Sequence, residues 1–431
     1  MLAVLAGAGG LAALLAAAAW RLGRARPAEE ALPATPLSIA AALRAPDARG
    51  FARALAPRPF VFPADHGPHS DYRTEWWYYT GNLAARDGRR FGFQLTFFRT
   101  ALAPPPAPAG AEAPTAPAGG RASAWATRQV WFAHFAVTDA AGHRFLAHER
   151  WERQALGLAG AQAAPFRVWV GPWSAAGAGA GNPAGPGLAI AGTPPMRLSA
   201  GTDEAAIDLV LTPALPPVPQ GDRGLSAKSA EPGNASYYYS LPRLAAAGTL
   251  RIGAERLAVA GQAWMDREWS TSSLAAGEVG WDWFALQLDD GWELMLYRLR
   301  RRPPAAAAGA ADLADPASLA TLIAPDGRTT RYPLAALHFT ATGAWTSLAS
   351  HARYPSGWRL TLPGAGPAAF DLTVQPLLAD QELRLSFRYW EGAVVTTGTH
   401  AGRPVMGRGY VELTGYGDTP APAAAPPAAG P

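Results

Sequence analysis

The segment at residues 261–272, GQAWMDREWSTS, concentrates side chains that could do acid–base chemistry. On an extended strand Trp264, Asp266 and Glu268 point to one face, because alternate residues of a strand share a side. Two carboxyl groups beside an indole are expected to raise each other's pKa through desolvation and like-charge repulsion. A carboxylic acid kept protonated near neutral pH can donate a proton to a poor base such as an alkene. The structural alternative is a buried salt bridge between either carboxylate and Arg267 or another arginine.

A run of three tyrosines, in NASYYYSLPRL, is the second candidate source of chemistry. Their hydroxyl groups either pack within a strand or line a cavity. Neighbours on a strand face opposite sides. On that basis Tyr238 is assigned to packing, and Tyr237 and Tyr239 are the candidates for catalytic roles.

Aromatic rings form a third group, concentrated in EWWYYTGNL at residues 75–83. The chain has Trp 16, Tyr 12 and Phe 15, and so many rings either fill a β-protein core or contact an apolar ligand. Glu75 and Asp282 precede rings in two similar segments, and this equivalent placement indicates a shared structural role, such as an ion pair at the barrel mouth, as much as catalysis. The rings predicted to bind ligand are Trp76, Trp77, Tyr78, Trp264, Trp269, Trp281 and Trp283.

Composition argues against several other classes of function. The net charge is +4 and most arginines are scattered, so no basic stripe for nucleic acid is present. Without cysteine the chain has no disulfide, thiolate metal ligand or cysteine nucleophile. Signature motifs of serine hydrolases, P-loop proteins, dinucleotide-binding folds and zincin proteases are absent. His66 and His69 share a Gly/Pro loop of a kind that is more often structural than metal-binding, so neither a metal nor a cofactor is predicted.

The elements that must position these residues are β-strands. FGFQLTFFR alternates with period two, and VWFAHFAVTD and HRFLAHERW indicate two further strands separated by a turn. EWWYYTGNL, an Asp-Gly turn and FGFQLTFFR are echoed by GWDWFALQLDDGWELMLYRLR, in which Trp77 and Tyr78 align with Trp283 and Phe284. Such a repeat predicts two similar β domains in tandem, and a barrel of alternating rings and small residues can hold one apolar ligand.

The N-terminal segment is expected to direct the protein to a membrane. Residues 1–20 carry no charge and are followed by Arg21, Arg24 and Arg26, whereas a secretory signal has its positive residues before the apolar run. We therefore expect a periplasmic or secreted protein whose start lies further upstream, or one that residues 1–20 anchor to the inner membrane. The predicted divisions are 1–24 for the signal peptide or anchor, 25–57 for an Ala/Pro-rich tether, 58–262 and 263–417 for two β domains, and 418–431 for a disordered tail.

Six motifs in order resemble the family of AttH-like and carotenoid 1,2-hydratase-like proteins, some of which are also called predicted secreted hydrolases. The motifs are DHGPHSDYRTEWWYYTGNL, FGFQLTFFR, FAHFAVTD, AWMDREWSTS, GWDWFALQLDDG and GRGYVELTGY, and together they cover about residues 58–417. The resemblance implies an all-β fold of two tandem lipocalin-like (calycin-type) antiparallel β-barrel domains. It also implies a large apolar ligand, such as an isoprenoid or another lipid.

For the carotenoid hydratases of this family the resemblance implies cofactor-free addition of water across a carbon–carbon double bond. There an aspartate in a Tyr-x-Asp setting is thought to protonate the alkene, with help from a His-x-Trp pair. The matching positions here are Trp264-x-Asp266 and Tyr237-x-Tyr239. The acid is kept, but the histidine that could help to take a proton from water is replaced by Tyr237.

Two hypotheses remain open at this point. In the first, the protein is a hydro-lyase with Asp266 as the acid, Glu268 as its modulator, and Tyr239 and Trp264 stabilising a cation. In the second, it resembles the AttH branch, whose members are similar to envelope proteins found with ABC-type permeases, and carries a lipid without converting it.

Overall fold

The computed structural model describes residues 37–38, 49–105, 123, 125–178, 190–271, 274, 277–303 and 312–417. Within these residues the chain is almost entirely β-structure, with short 3₁₀ turns at Ala64–His66 and Leu334–Ala336. No helix in this part of the chain is long and apolar enough to cross a membrane. The expected signal peptide or anchor at 1–24, most of the tether at 25–57 and the tail at 418–431 lie outside the described residues.

The first of two large sheets contains 13 strands of the described chain. Its main path runs β5-β4-β3-β2-β14-β13-β10-β9-β8-β7-β6, and β11 and β12 pair with β13. The strands are β2 (Thr74–Ala85), β3 (Arg90–Ala101), β4 (Gln129–Asp139), β5 (Arg144–Arg153), β6 (Ala159–Gln162), β7 (Arg167–Val170), β8 (Trp173–Gly177), β9 (Met196–Gly201), β10 (Ala205–Pro213), β11 (Val218–Pro219), β12 (Leu225–Ala227), β13 (Ala235–Ile252) and β14 (Glu255–Ser270).

The second sheet contains 12 described strands. Its main path of nine strands runs β19-β18-β16-β15-β27-β26-β24-β23-β20, β17 pairs with β16, and β1 and β25 pair with β26. β21 and β22 form a separate two-stranded sheet, so 14 described strands lie outside the first sheet. The strands are β1 (Leu37–Ser38), β15 (Glu278–Leu288), β16 (Glu293–Arg301), β17 (Leu313–Ala314), β18 (Leu319–Ile323), β19 (Thr329–Pro333), β20 (His338–Ala341), β21 (Ala344–Thr346), β22 (Arg353–Pro355), β23 (Trp358–Leu362), β24 (Phe370–Pro376), β25 (Glu382–Arg384), β26 (Phe387–His400) and β27 (Arg403–Leu413). The sheets form two lipocalin-like antiparallel β-barrels in tandem, as predicted.

The division between the two sheets falls after β14. The sequence analysis placed it between residues 262 and 263, within that strand. The register shows why the whole strand belongs to the first sheet: β14 pairs with β13 on one side and with β2 on the other, up to Ser270.

The repeated hairpins β2–β3 and β15–β16 have the same turn chemistry. Gly88 and Gly291 have φ values of 86° and 92°, a region that glycine enters without steric cost. The carboxylates of Asp87 and Asp290 accept hydrogen bonds from the backbone two residues later, at 3.0 and 3.2 Å. An Asp-Gly pair therefore sets both hairpins, which explains why the repeat is visible in the sequence.

Each barrel fills its interior with apolar side chains from alternate strand positions. Trp77, Tyr79 and Leu83 of β2 lie in the first core, and Phe284 and Leu286 of β15 lie in the second. The intervening residues of the same strands face outwards and pack the barrels against each other. The two barrels therefore share a buried junction made from their outer faces.

Close contacts hold this junction together. The rings of Tyr78 and Trp283 meet edge to face with centroids 5.1 Å apart. Gly92 lies so close to the second barrel that an added Cβ would sit 2.5 Å from the Cβ of Ala393. Gln287 donates hydrogen bonds to two backbone carbonyl groups of the first barrel at 2.7 and 2.9 Å.

A buried ion cluster fixes the start of β2 inside the first barrel. The Glu75 carboxylate contacts both Arg99 and Arg267. Burial alone would raise the pKa of Glu75, but the two guanidinium groups outweigh it and hold this pKa well below its usual range. In the second barrel Asp282 pairs with Arg298 and Arg300 at 3.2 and 3.1 Å, so the predicted ion pairs of Glu75 and Asp282 are confirmed.

We predict that Glu75→Gln destabilises the protein by about 3–5 kcal/mol, because it leaves two buried guanidinium groups without a counter-charge. Glu255→Gln is the matched control, since Glu255 pairs with Arg89 at the surface, where water and salt screen the pair, and it should change the stability little. Urea denaturation of the three proteins measures both changes. Equal stabilities of the two variants would contradict a stabilising role for the cluster.

Candidate active site

A cavity of about 70 Å³ lies at the junction between the two barrels. Its size suits roughly five water molecules. The aromatic lining consists of Trp76, Tyr78, Phe98 and Tyr238 from the first barrel and Trp281, Trp283, Tyr297 and Tyr389 from the second. The polar lining consists of Gln94, Lys228, Asp266, Glu268 and Glu412.

Strand register brings Asp266 to this cavity. On β14 it lies opposite Ser240 of β13 and opposite Tyr78 of β2. Residues directly opposite in an antiparallel sheet share a face. Trp264, Asp266 and Glu268 therefore share one face, as predicted, and the structure turns that face towards the second barrel. Met265 points into the first core.

Three hydrogen bonds orient the Asp266 carboxyl group. Ser240 Oγ and Trp264 Nε1 each donate to Oδ1 at 2.6 Å. Tyr238 Oη donates to Oδ2 at 2.5 Å, and it accepts a hydrogen bond from Trp283 Nε1 at 3.1 Å. Three donors of the first barrel thus hold the carboxyl group, and Trp283 of the second barrel orients one of them, Tyr238.

Burial makes Asp266 a weak acid. Its exposed fraction is only 4%, and no cation pairs with it among the described residues. Desolvation raises its pKa to about 7, although the three hydrogen bonds by themselves would lower this pKa. Nearby Glu268 raises it by a smaller amount. Near neutral pH a large share of the molecules therefore carry a protonated carboxyl group in an aromatic cavity.

Glu268, two residues along the strand, has a different environment. Its Oε1 lies 2.7 Å from the Lys228 ammonium and accepts a hydrogen bond from Ser236 Oγ at 2.5 Å. Burial alone would lower the pKa of Lys228, but Glu268 outweighs it and the pKa is raised. Lys228 is therefore charged, and its ammonium group lies against Glu268.

The second barrel contributes two further acids. Glu391 of β26 lies directly opposite Glu412 of β27, and like charges at such positions repel. Burial raises the pKa of Glu412 to about 8, although a hydrogen bond from Trp281 by itself would lower it. Burial also raises the pKa of Glu391 well above its usual range. Tyr78 Oη donates to Glu391 at 2.6 Å, which links this acid to the cavity wall.

Tyr389 ends the polar lining on the side of the second barrel. Its hydroxyl group accepts a hydrogen bond from Gln94 Nε2 at 3.0 Å and shares one with His134 Nδ1 at 2.7 Å. Burial lowers the pKa of His134 to about 3, so the imidazole is neutral at physiological pH.

The structure does not bring Tyr237 and Tyr239 to this site. Tyr239 lies opposite Arg267 on the inner face of the first barrel and bonds His66 at 2.7 Å. Tyr237 also faces inwards and donates to the carbonyl group of Ala56. The three tyrosines alternate as predicted, but the assignment of the two faces was wrong: Tyr238, and not Tyr237 or Tyr239, contacts Asp266.

The predicted ligand-binding rings divide in the same way. Trp77 and Trp269 lie in the first core, where both rings lie beside the Arg267 guanidinium group, at 3.8 and 5.0 Å from their centroids. Trp76, Tyr78, Trp281 and Trp283 line the cavity, and Trp264 is buried beside them. The rings of Trp76 to Tyr79 therefore do not jointly enclose a barrel interior, because alternate members face opposite sides.

The expected alternative of an arginine salt bridge at these carboxylates is also not what the structure shows. Arg267 points to the inner face and pairs with Glu75. The only lysine of the chain, Lys228, partners Glu268 instead.

Five residues at or beside the site were not predicted from the sequence as functional: Lys228, Tyr238, Tyr389, Glu391 and Glu412. Lys228 could have been noticed because it is the single lysine of the sequence. Tyr238 could have been identified by assigning the even-numbered residues of its strand to the outer face.

A wider cleft of about 1190 Å³ opens at one end of the second barrel. Phe339, Trp358 and Tyr416 line it, together with Arg298 and other residues. Its principal acid, Asp282, is paired with arginines. The cleft has the size of a ligand site, but each acid of its described lining has an arginine partner.

Comparison with known proteins agrees with this architecture. A family model described as AttH-like matches residues 53–416. The crystal structure of an AttH protein from Nitrosomonas europaea is 32% identical, covers 85% of this chain and 100% of its own, and has a TM-score of 0.68. Kievitone hydratase from Nectria haematococca is 15% identical, covers 86% and 99% of the two chains at a TM-score of 0.59, and shares the fold. No functionally curated protein matches the sequence.

We predict that Asp266 makes stability fall as the pH rises. The pKa of its carboxyl is 3.8 ordinarily and about 7 in the fold, so the stability it contributes is full below about pH 4 and is lost as the pH rises through about 7. Asp266→Asn should therefore raise the free energy of unfolding at about pH 8, by up to about 4 kcal/mol, and change it little at about pH 4.

The control is Asp208→Asn at the surface, where Arg197 lowers the pKa of Asp208. Its effect should have the opposite pH dependence, because that stability is lost as the pH falls. Chemical denaturation across this pH range tests both variants. A pH-independent effect of Asp266→Asn would show that the carboxyl group is not desolvated.

Proposed function

The chain belongs to the AttH-like family, and we propose that it is a hydratase-like enzyme that adds water across a carbon–carbon double bond of an apolar, isoprenoid-like substrate. The observation that carries the proposal is the Asp266 carboxyl group. It is buried in an aromatic cavity, has no counter-cation among the described residues and has a pKa of about 7. These are the properties that a proton donor to an alkene needs.

The hydrogen bonds around Asp266 favour transfer of its proton to the alkene, because they stabilise the carboxylate that the transfer forms. Before transfer the carboxyl group is neutral and its burial costs little. After transfer the carboxylate accepts the bonds that Ser240, Tyr238 and Trp264 already direct at it. Preoriented donors of this kind stabilise charge that develops in the transition state without further reorganisation.

The ring lining suits the cation that protonation would form. A trisubstituted alkene that gains a proton at one carbon becomes a tertiary carbocation at the other. Faces of Trp and Tyr rings stabilise positive charge by about 2 kcal/mol or more where water is excluded. Trp281, Trp283 and Tyr297 of the second barrel face Asp266 across the cavity and could supply this stabilisation.

The size of the cavity limits how a substrate could bind. A space of about 70 Å³ accommodates a reacting group and water, but not a long chain. Trp76 and Trp281 are only partly buried and form the rim. We propose that a long substrate inserts its reacting end between these indoles and leaves its remainder outside the cavity.

The comparisons support this reaction class without naming the substrate. A hydratase shares the fold, and the sequence motifs resemble those of carotenoid hydratases. A lipid carrier is a second candidate, because the wider cleft of the second barrel could hold an apolar molecule. Export, membrane contact and a permease partner remain predictions from the sequence.

We predict that Asp266→Asn strongly lowers the rate of hydration and leaves ligand binding intact. The loss in kcat/KM should be about 100-fold to 10,000-fold, as expected for a general acid. Geraniol and squalene serve as a short and a long isoprenoid alkene, and mass spectrometry detects heavy oxygen taken up from labelled water. Wild-type activity should fall as the pH rises above about 7, because the acid must be protonated.

Organic extracts of the purified proteins provide an independent test. If wild type retains a hydroxylated lipid and Asp266→Asn retains the alkene, the hydratase proposal is supported. The same unmodified lipid in both proteins would falsify it in favour of the carrier.

We predict that Tyr238→Phe moves the alkaline limb of the activity profile to higher pH by about one to two units. It removes a hydrogen bond of about 1.5–3 kcal/mol from the Asp266 carboxylate and so raises the pKa of Asp266 further. Tyr237→Phe is the matched control, because this neighbouring hydroxyl group lies on the opposite face of the strand. An identical shift in both variants would mean that Tyr238 acts through general packing.

A further inference from the structure

Lys228 is the only lysine in a chain with 37 basic residues, all of the others being arginine, and it lies in the cavity wall. It is buried, at 2.7 Å from Glu268 Oε1 and 3.2 Å from Ser226 Oγ. Its ammonium group also lies 5.6 and 5.1 Å from the ring centroids of Tyr238 and Tyr297. The one compact cation of the protein is thus placed next to its candidate acid.

The two oxygens of Glu268 have different surroundings. Oε1 is occupied by Lys228 and by the Ser236 hydroxyl group. Among the described residues no donor contacts Oε2, and Glu268 lines the cavity. A charge-compensated carboxylate therefore has one oxygen available to a water molecule.

Asp266 and Glu268 differ in the charge of the groups that contact them, and this difference suits them to opposite roles in a two-step proton transfer. They share one face of β14 with Cα atoms about 7 Å apart, so both can act on one bound molecule. Asp266 has only neutral donors around it, whereas Glu268 has an ammonium group in contact. The same strand thus presents an acid beside a base.

We propose that Glu268, whose Oε1 is held by Lys228, takes through Oε2 the proton from the water that captures the carbocation. This inference rests on the proposed hydratase function and supplies its second step. The alkene π electrons form a C–H bond with the Asp266 proton, and a lone pair of water forms the C–O bond. One water proton passes to Glu268, and solvent then returns a proton from Glu268 to Asp266, which restores both groups.

Lysine suits this task better than arginine. A guanidinium group binds a carboxylate through two parallel hydrogen bonds and would occupy both of its oxygens. An ammonium group is a point charge that can compensate Glu268 through Oε1 alone. The exchange of lysine for arginine at this position should therefore keep the charge but block the base.

The experiment measures two reactions of the same alkene in deuterated water. Hydration requires both steps, whereas deuterium exchange into unreacted geraniol or squalene requires only reversible protonation by Asp266. Glu268→Gln, Lys228→Met and Lys228→Arg should each lower hydration at least about 100-fold and leave exchange within a few-fold of wild type. Asp266→Asn should lose both reactions.

The outcomes separate this inference from the function on which it rests. Normal hydration by Glu268→Gln, or an equal loss of hydration and exchange in that variant, overturns the role of Glu268 while wild-type hydration still stands. Wild type that neither hydrates nor exchanges these alkenes overturns both the inference and the proposed function for isoprenoids. Normal hydration by Lys228→Arg overturns the requirement for lysine.

The double variant Lys228→Met/Glu268→Gln removes both charges and controls for folding. It should be at least as stable as Lys228→Met, because it leaves no uncompensated carboxylate. Its hydration rate should match that of Glu268→Gln. If only the double variant folds, its rates of hydration and of deuterium exchange are compared with those of wild type. A loss of hydration with exchange retained then supports the role of Glu268, and an equal loss of both overturns it.

Discussion

Packing the outer faces of two β-barrels against each other removes water from the carboxyl groups that both faces carry. Moving an isolated carboxylate out of water costs several kcal/mol even after the protein relaxes. Asp266, Glu391 and Glu412 meet no cation within the described part of the chain, so the junction favours their protonated forms. Glu268 is the exception, because Lys228 compensates it. The raised pKa values of these three acids are therefore a consequence of how the two barrels pack.

The barrels act as scaffolds whose inner faces hold the fold and whose outer faces hold the site. Inside, rings and aliphatic side chains fill each core, and the ion clusters of Glu75 and Asp282 fix equivalent hairpins. Because alternate residues of a strand face opposite sides, fixing the inner face also fixes the direction of every outward side chain. Asp266 owes its position to Met265 and Arg267, its neighbours, which are locked into the first barrel.

Much of the fold was predictable from the sequence, because period-two alternation, Asp-Gly turns and the internal repeat are local signals. The shared face of Trp264, Asp266 and Glu268 followed from the same alternation. Alternation does not say which of the two faces is the core, however, and a one-residue error exchanges all of the inward and outward residues. Tyr237 and Tyr239 were misassigned in this way, and Trp77 was aligned with Trp283 although its partner on the inner face is Phe284.

The contribution of the second barrel could not be derived from the sequence. Glu412 lines the cavity, and Glu391 opposite it accepts a hydrogen bond from Tyr78, only because the hairpin of β26 and β27 packs against the distant first barrel. No local pattern encodes that contact. Lys228 stands out in the sequence as the single lysine, but its role follows from its contact with Glu268, which is distant in the sequence. Pairings between residues far apart in sequence are the part of a site that periodicity cannot supply.

The division of the site between β14 and β27 also has a consequence for biosynthesis. The first barrel can complete its core once β14 has emerged, but its outer face then exposes Trp76, Tyr78 and Trp264 until strands more than a hundred residues later arrive. An uncovered apolar face of this kind is the feature that chaperones recognise and through which partly made chains associate. The aromatic wall of the cavity is thus a liability to the nascent chain until the second barrel covers it.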